Sequence, residues 1–158
     1  MIRHHPLSNR YHRRRSLKRE YPEAPLVGVG VVILKSDSIV LVERGKEPKA
    51  GIWTIPGGLV EVGESVRGAA YREVLEECNI PIELGDVISV VDLIKHDDSG
   101  DVQYHYILID FFARYVDGEL EAGSDVKAVK WVSKDQLDSY DIPEITRKVI
   151  EKAFNYRR

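Results

Sequence analysis

With 158 residues, 43% of them hydrophobic and 31% charged, the chain has the size and composition of one globular domain with its own core. Its formal net charge of −3 is divided: residues 1–22 hold seven Arg and Lys against one Glu, and the rest hold sixteen against twenty-five Asp and Glu. That acidic body excludes a general DNA-binding surface, and the single cysteine excludes an internal disulfide and a cysteine metal cage, as expected of a protein in the reducing cytoplasm.

Residues 1–22 show no apolar period and carry the basic cluster Arg13-Arg14-Arg15. They read as a mobile, solvated arm ahead of a domain at 23–158. RNA or phosphate contact and organelle targeting are the sharper readings of that arm. The apolar run Leu26–Leu34 is too short to span a bilayer, so no membrane partner is expected. Both of its alternating sets are apolar or glycine, which predicts a central strand covered on both faces. Lys35–Ser38 reads as a turn and SIVLVER as the next strand. GIWTIPGG at 51–58 reads as a tight turn whose Gly57 and Gly58 let backbone approach an ion or phosphate.

A helix is predicted from about Ser65, its N-cap, to Cys78, with Val66, Ala69, Ala70 and Val74 on one apolar face. Cys78 lies near that face and reads as a packed side chain. Opposite sit Glu73, Glu76 and Glu77, within an arc of roughly 100°. Like charges so close oppose an isolated helix, and a hard divalent cation with oxygen ligands is the natural way to offset them. Val87–Ile94 and Tyr104–Phe112 read as strands joined by a hairpin at 96–101, the second covered on both faces like the first. Another strand is expected at Ala128–Val132, then a short helical turn capped through Ser133-x-x-Gln136. A last helix is expected near Asp141, with Asp141-x-x-Glu144 as a capping box and Pro143 in the first turn. Together these elements predict an α/β protein: an α/β/α sandwich around a mixed sheet.

From Gly58 the spacing runs five residues to Glu64, seven more to Arg72-Glu73, then Val74, Glu76, Glu77 and Ile80. This resembles the Nudix box, G-x5-E-x7-R-E-U-x-E-E-x-G-U, where U is apolar. Asn79 stands where the pattern has glycine, and Asn is the best non-glycine residue for a left-handed helix end. Beyond the box, VGVGVVIL, GIWTIPGG and SDVKAVKWV are similar to the small ADP-ribose pyrophosphatase-type members. The resemblance implies the same sandwich and Mg²⁺-dependent hydrolysis of a phosphoanhydride, with Mn²⁺ as a substitute. It implies Glu76, Glu77 and the Gly58 carbonyl, with Gly57 as the neighbouring possibility, as metal ligands, and Glu73 as either a third ligand or the general base. Arg72 would orient Glu73, Glu64 would support the loop, and an acid outside the box would contribute, for which Asp125 is the candidate ahead of Glu121.

Substrate contacts are weaker signals. Arg44, Lys46 and Lys49 precede the box and are placed to meet phosphates or only water. Trp53, Tyr104 and Tyr106 are candidates for stacking on a base and equally for the core, while His105 reads as a core residue. The leading substrate is ADP-ribose, split to AMP and ribose 5-phosphate. A nucleoside triphosphate such as 8-oxo-dGTP is the alternative, and a silent nucleotide sensor is the reading from another class. The resemblance leaves a homodimer open.

Overall fold

The computed structural model describes residues 17–45 and 51–156; the cluster Arg13–Arg15 and the candidates Lys46 and Lys49 lie outside them. Seven strands form one sheet: β1 (Leu26–Lys35), β2 (Ser38–Arg44), β3 (Trp53–Thr54), β4 (Gly57–Leu59), β5 (Ile82–His96), β6 (Val102–Tyr115) and β7 (Val126–Ser133). Helix α1 (Val66–Cys78) follows β4, and α2 (Glu144–Asn155) closes the described chain after a 3₁₀ turn at Lys134–Ser139. The main path runs β3-β2-β1-β6-β5, with β4 added to β1 and β7 to β2. Among the described residues only β1 and β6 pair in parallel, so the sheet is mixed. One helix covers each face, which makes the predicted α/β/α sandwich.

β1 is central because its sequence can be buried twice. Val29, Val31 and Ile33 join Ala69, Ala70, Val74 and Cys78 of α1 in one core. Val32, between them, joins Ile39, Leu41, Val149, Ile150 and Ala153 in the core under α2. Each such Val or Ile side chain contributes about 1.5–3 kcal/mol on burial. β6 shares this double burial only over Asp110–Ala113; from Gln103 to Ile109 it is half-buried, with Ile109 packed on the edge of the core under α1. This narrows the expectation that Tyr104–Phe112 would be covered throughout.

The stretch 51–58, read as a turn, contains β3 and starts β4. Gly57 pairs with Gly30, and a Cβ on Gly57 would stand 2.1 Å from the Val29 carbonyl oxygen, so glycine is what lets β4 reach β1. β5 begins at Ile82, five residues before the predicted strand, and its register shifts between Leu84 and Ser89 break the alternation that marks a strand in sequence. The capping box at Asp141 does not form. Pro143 is the N-cap of α2 without a side-chain bond, and the Asp141 carbonyl instead accepts from Trp53 N at 3.0 Å. Ser133 likewise gives no cap bond to the 3₁₀ turn; its hydroxyl donates to Asp135.

The 97–101 hairpin connection is held by Asp97, whose Oδ1 accepts from Ser99 N and Asp101 N. Ahead of β1, Tyr21 N donates to Gln103 O and Tyr21 OH to Asp97, while Gln103 donates to Glu20. The end of the 1–22 segment is thus tied to the β5–β6 hairpin.

Candidate active site

α1 starts where the sequence places it. The Ser65 hydroxyl accepts from Gly68 N at 2.9 Å, and Asn79 ends the helix in the left-handed region at φ 54° and ψ 34°. The buried residues Ala69, Ala70, Val74 and Cys78 seat the helix on the sheet, and Glu73 and Glu77 lie beside that face rather than opposite it as expected, which turns them toward the Gly57–Leu59 backbone; Glu76 alone of the three points to solvent. Burial pushes the Cys78 thiol up to about 12, so it packs as a small apolar group.

Arg72 gathers the acids. Its Nε and Nη2 donate to the two oxygens of Glu64 at 2.7 and 2.9 Å, and Nη2 also donates to the Leu59 carbonyl at 3.0 Å. Its Nη1 donates to Glu73 Oε1 at 2.7 Å and to Glu76 Oε2 at 3.3 Å. A planar guanidinium presents five N–H groups, and this geometry uses the whole fork. The Arg72 hydrogen bond and the Glu61 N–H hold the Glu64 carboxyl down at about 2, and the Glu64 bond raises Arg72. Glu64 therefore fastens the loop before α1 to the helix.

Glu73 and Glu77 are the partly buried acids, while Glu76 is exposed. Burial raises Glu73, against the pull of Arg72. Burial pushes Glu77 up to about 8; the Gly57 N–H and Arg44 oppose this, and Glu73 and Asp125 add to it. Gly57 N donates to Glu77 Oε2 at 3.1 Å. A Cβ on Gly58 would stand 2.3 Å from Glu73 Oε1, so the glycine makes room for this protein's own carboxylate.

The donor set has the chemistry for a hard divalent cation: carboxylate oxygens and backbone carbonyls, with no sulfur or imidazole. Among the described residues no three His, Cys, Asp or Glu side chains stand as a ready-made metal group. The bonds just described engage one oxygen each of Glu73, Glu76 and Glu77. Oε2 of Glu73 and Oε1 of Glu76 and Glu77 are the atoms they leave for a cation.

Of the remaining candidates, Arg44 and Asp125 meet at the end of β2, where Arg44 pairs with Val126, and both charges act on Glu77. The segment before Asp125 crosses the end of α1: Glu121 N donates to Cys78 O and Gly123 N to Glu77 O. That docking left one signal in the sequence, the glycine of EAGSD, which does not say what the segment docks on. Trp53 is half-buried, edge-on to Tyr140 at 5.0 Å and beneath the Lys130 ammonium. Tyr104 stands opposite Lys95 beside the hairpin turn, and His105 opposite Ile94. The structure thus brings Glu64, Arg72, Glu73, Glu76, Glu77, Gly58, Arg44 and Asp125 into one neighbourhood and leaves Tyr104 on the hairpin.

The model of the NUDIX domain family matches residues 24–153. An ADP-ribose pyrophosphatase of Methanocaldococcus jannaschii is 34% identical over 113 residues, 72% of this chain. The chain spans 64% of that relative's own length, less than two thirds of it. A Bacillus subtilis protein provisionally named an 8-oxo-dGTP diphosphatase is 33% identical over 120 residues, 75% of this chain and 73% of that one. Among solved structures, the MutT NUDIX hydrolase of Burkholderia pseudomallei has a TM-score of 0.72 at 32% identity, over 82% of this chain and 98% of that one.

Proposed function

The chain belongs to the NUDIX domain family, and from that premise we propose that it hydrolyses the diphosphate of a nucleoside diphosphate linked to a second moiety, with ADP-ribose as the first substrate to test. Water adds to one phosphorus, the P–O–P bridge breaks, and AMP and ribose 5-phosphate leave. The observation that supports this reading is the assembly on one face of α1. Arg72 joins Glu64, Glu73 and Glu76, and Glu77 lies against the Gly57 N–H.

Glu73, Glu76 and Glu77, with a backbone carbonyl of the Gly57-Gly58 pair, would hold Mg²⁺ or Mn²⁺; the Gly58 carbonyl faces β1, which favours Gly57. When bound, such an ion neutralises the diphosphate and makes water a better nucleophile. Arg72 holds the carboxylates in register through its five bonds, and Glu64 anchors Arg72. Asp125 takes the proton from the attacking water, or shares that work with Glu73. Arg44 contributes positive charge at the same edge, where a phosphate oxygen would be stabilised. Trp53 is the aromatic candidate for the nucleoside, and its ring already packs on Tyr140. The relative from M. jannaschii is named for ADP-ribose, which favours that substrate. The relative from B. subtilis favours the second reading, an oxidised nucleoside triphosphate. The one cysteine, buried at Cys78, is in keeping with a reducing cytoplasm, and no helix among the described residues is long and apolar enough to cross a membrane.

A product analysis with ADP-ribose, 8-oxo-dGTP and dGTP in Mg²⁺ tests this. AMP with ribose 5-phosphate is the expected result. A nucleoside monophosphate with pyrophosphate from a triphosphate would replace ADP-ribose as substrate, and binding without turnover would replace the enzyme with a sensor. Chelation should abolish turnover and Mg²⁺ or Mn²⁺ restore it. Glu76→Gln and Glu77→Gln should each keep the fold by circular dichroism and lose at least about 10²-fold in kcat, since a neutral amide is a poor ligand. Near-native rates in both would move the metal site off α1.

A further inference from the structure

We propose that Gly123 is a positioning residue of this site: it seats the 121–125 segment on the C-terminal end of α1 and thereby sets where Asp125 stands. This rests on the reading of Asp125 as a proton acceptor in the reaction.

The last carbonyls of any helix lack partners within it. Here the crossing segment supplies them. Glu121 N donates to the Cys78 carbonyl at 3.1 Å and Gly123 N to the Glu77 carbonyl at 3.2 Å. The Asn79 side chain reaches back, its Nδ2 donating to Glu121 Oε2 at 3.1 Å. The seat accepts only glycine. A Cβ on residue 123 would stand 1.8 Å from the Glu76 carbonyl oxygen and 2.9 Å from its carbon. Those atoms are helix backbone, which cannot turn aside as a side chain would. The carbonyls gripped are those of Glu77 and Cys78, and the Glu76 carbonyl lies against Gly123; Glu76 and Glu77 are the residues whose carboxylates face the proposed cation.

Past the seat the chain has little freedom before Asp125. Val126 N donates to the Gly123 carbonyl at 3.3 Å, closing a turn around Ser124 and Asp125. On the other side, Gly45 lies under the Asp125 backbone, where an added Cβ would be 3.4 Å from the Asp125 carbonyl oxygen. Asp125 is held between the end of β2 and the end of α1, two residues from a closed contact. Lifting residue 123 therefore moves Asp125 relative to the helix carboxylates, while β3, β4 and α1 keep their own bonds.

The test is a double-mutant cycle on hydrolysis with Mg²⁺, using the substrate that the product analysis identifies. Asp125→Ala should lower kcat by about 10²-fold or more, the usual worth of a positioned proton acceptor. Gly123→Ala should approach the same loss with KM changed less than about threefold, and it should cost nothing further in the Asp125→Ala background. A native kcat in Gly123→Ala, with Asp125→Ala slow, would overturn the proposal and leave the reading of Asp125 standing. Additive losses would overturn it too, since they would mark a general structural role. A native kcat in Asp125→Ala would remove the reading of Asp125 and the proposal with it. If Gly123→Ala does not fold, one glycine inserted between Ser124 and Asp125 leaves the seat intact but frees Asp125. That variant should show the same kcat loss, and a native kcat would overturn the proposal.

Discussion

Asp110 shows how far one residue's surroundings can outweigh its type. It lies in the apolar run YILIDFFA and is buried at 6% exposure, leaning over Gly30 so closely that a Cβ there would stand 2.3 Å from its Oδ1. Its register partner on β5 is Ser89, whose hydroxyl is buried without a hydrogen-bond partner among the described residues. Burial pushes the Asp110 carboxyl up to about 6, with Lys152 pulling the other way. The folded state therefore binds this proton more tightly than the unfolded chain, and stability falls as pH rises from about 4 to about 6 and stays reduced above. Asp110→Asn should stabilise the protein at about pH 7.5 by up to roughly 3 kcal/mol, with the gap closing near pH 4. Denaturant titrations at both values measure it. Equal midpoints at the higher pH would show that the carboxylate is solvated. Arg72 is the contrasting case. The sequence places it beside Glu73, but its bonds to Glu64 and the Leu59 carbonyl require the loop before α1 to fold back along the helix.

At the scale of elements, α1 was legible almost residue by residue because its signals are local. A Ser65 cap bonds three residues on, an apolar face repeats within two turns, and Asn79 turns left-handed at the end. That last residue gives a direct test. Asn79→Gly and Asn79→Ala both lose the amide bond to Glu121, so the difference between them isolates the backbone. Glycine should exceed alanine by about 0.5–1 kcal/mol in thermal unfolding, since alanine resists positive φ. Equal stability would mean that the helix end relaxes out of the left-handed region. β3 and β4 were not legible, because strands of two and three residues carry no periodicity and exist only through pairing with β2 and β1. α2 kept its stripe of Val149, Ile150 and Ala153 but not its predicted cap, since the helix starts two residues later than the box requires, with Pro143 as an N-cap that has no side-chain acceptor.

For the molecule as a whole, the end of the 1–22 segment is fastened to the acidic body. Glu20 and Tyr21 are pinned to the β5–β6 hairpin, Glu20 through Gln103 on β6 and the Tyr21 hydroxyl through Asp97 in the turn. Deleting residues 1–19 leaves those contacts and every residue of the proposed site in place. The shortened chain should match the full one in kcat/KM for small nucleotides and in thermal midpoint. A large loss of activity with unchanged stability would show that the basic segment takes part in the reaction.

The sequence by itself determined the sandwich, the central β1, the helix with its acidic face and the family, because each is written in short-range spacing and in one 23-residue motif. Tertiary structure alone decided what the glycines are for. Gly57 admits β4 to β1, Gly58 admits the Glu73 carboxylate, and Gly123 admits a loop to the end of α1. It also decided that Asp110 is buried and that Arg44 and Asp125 share the electrostatic environment of Glu77. The reason is the same in each case. A missing Cβ or a buried charge has meaning only through the neighbour that approaches it, and these neighbours come from distant parts of the chain.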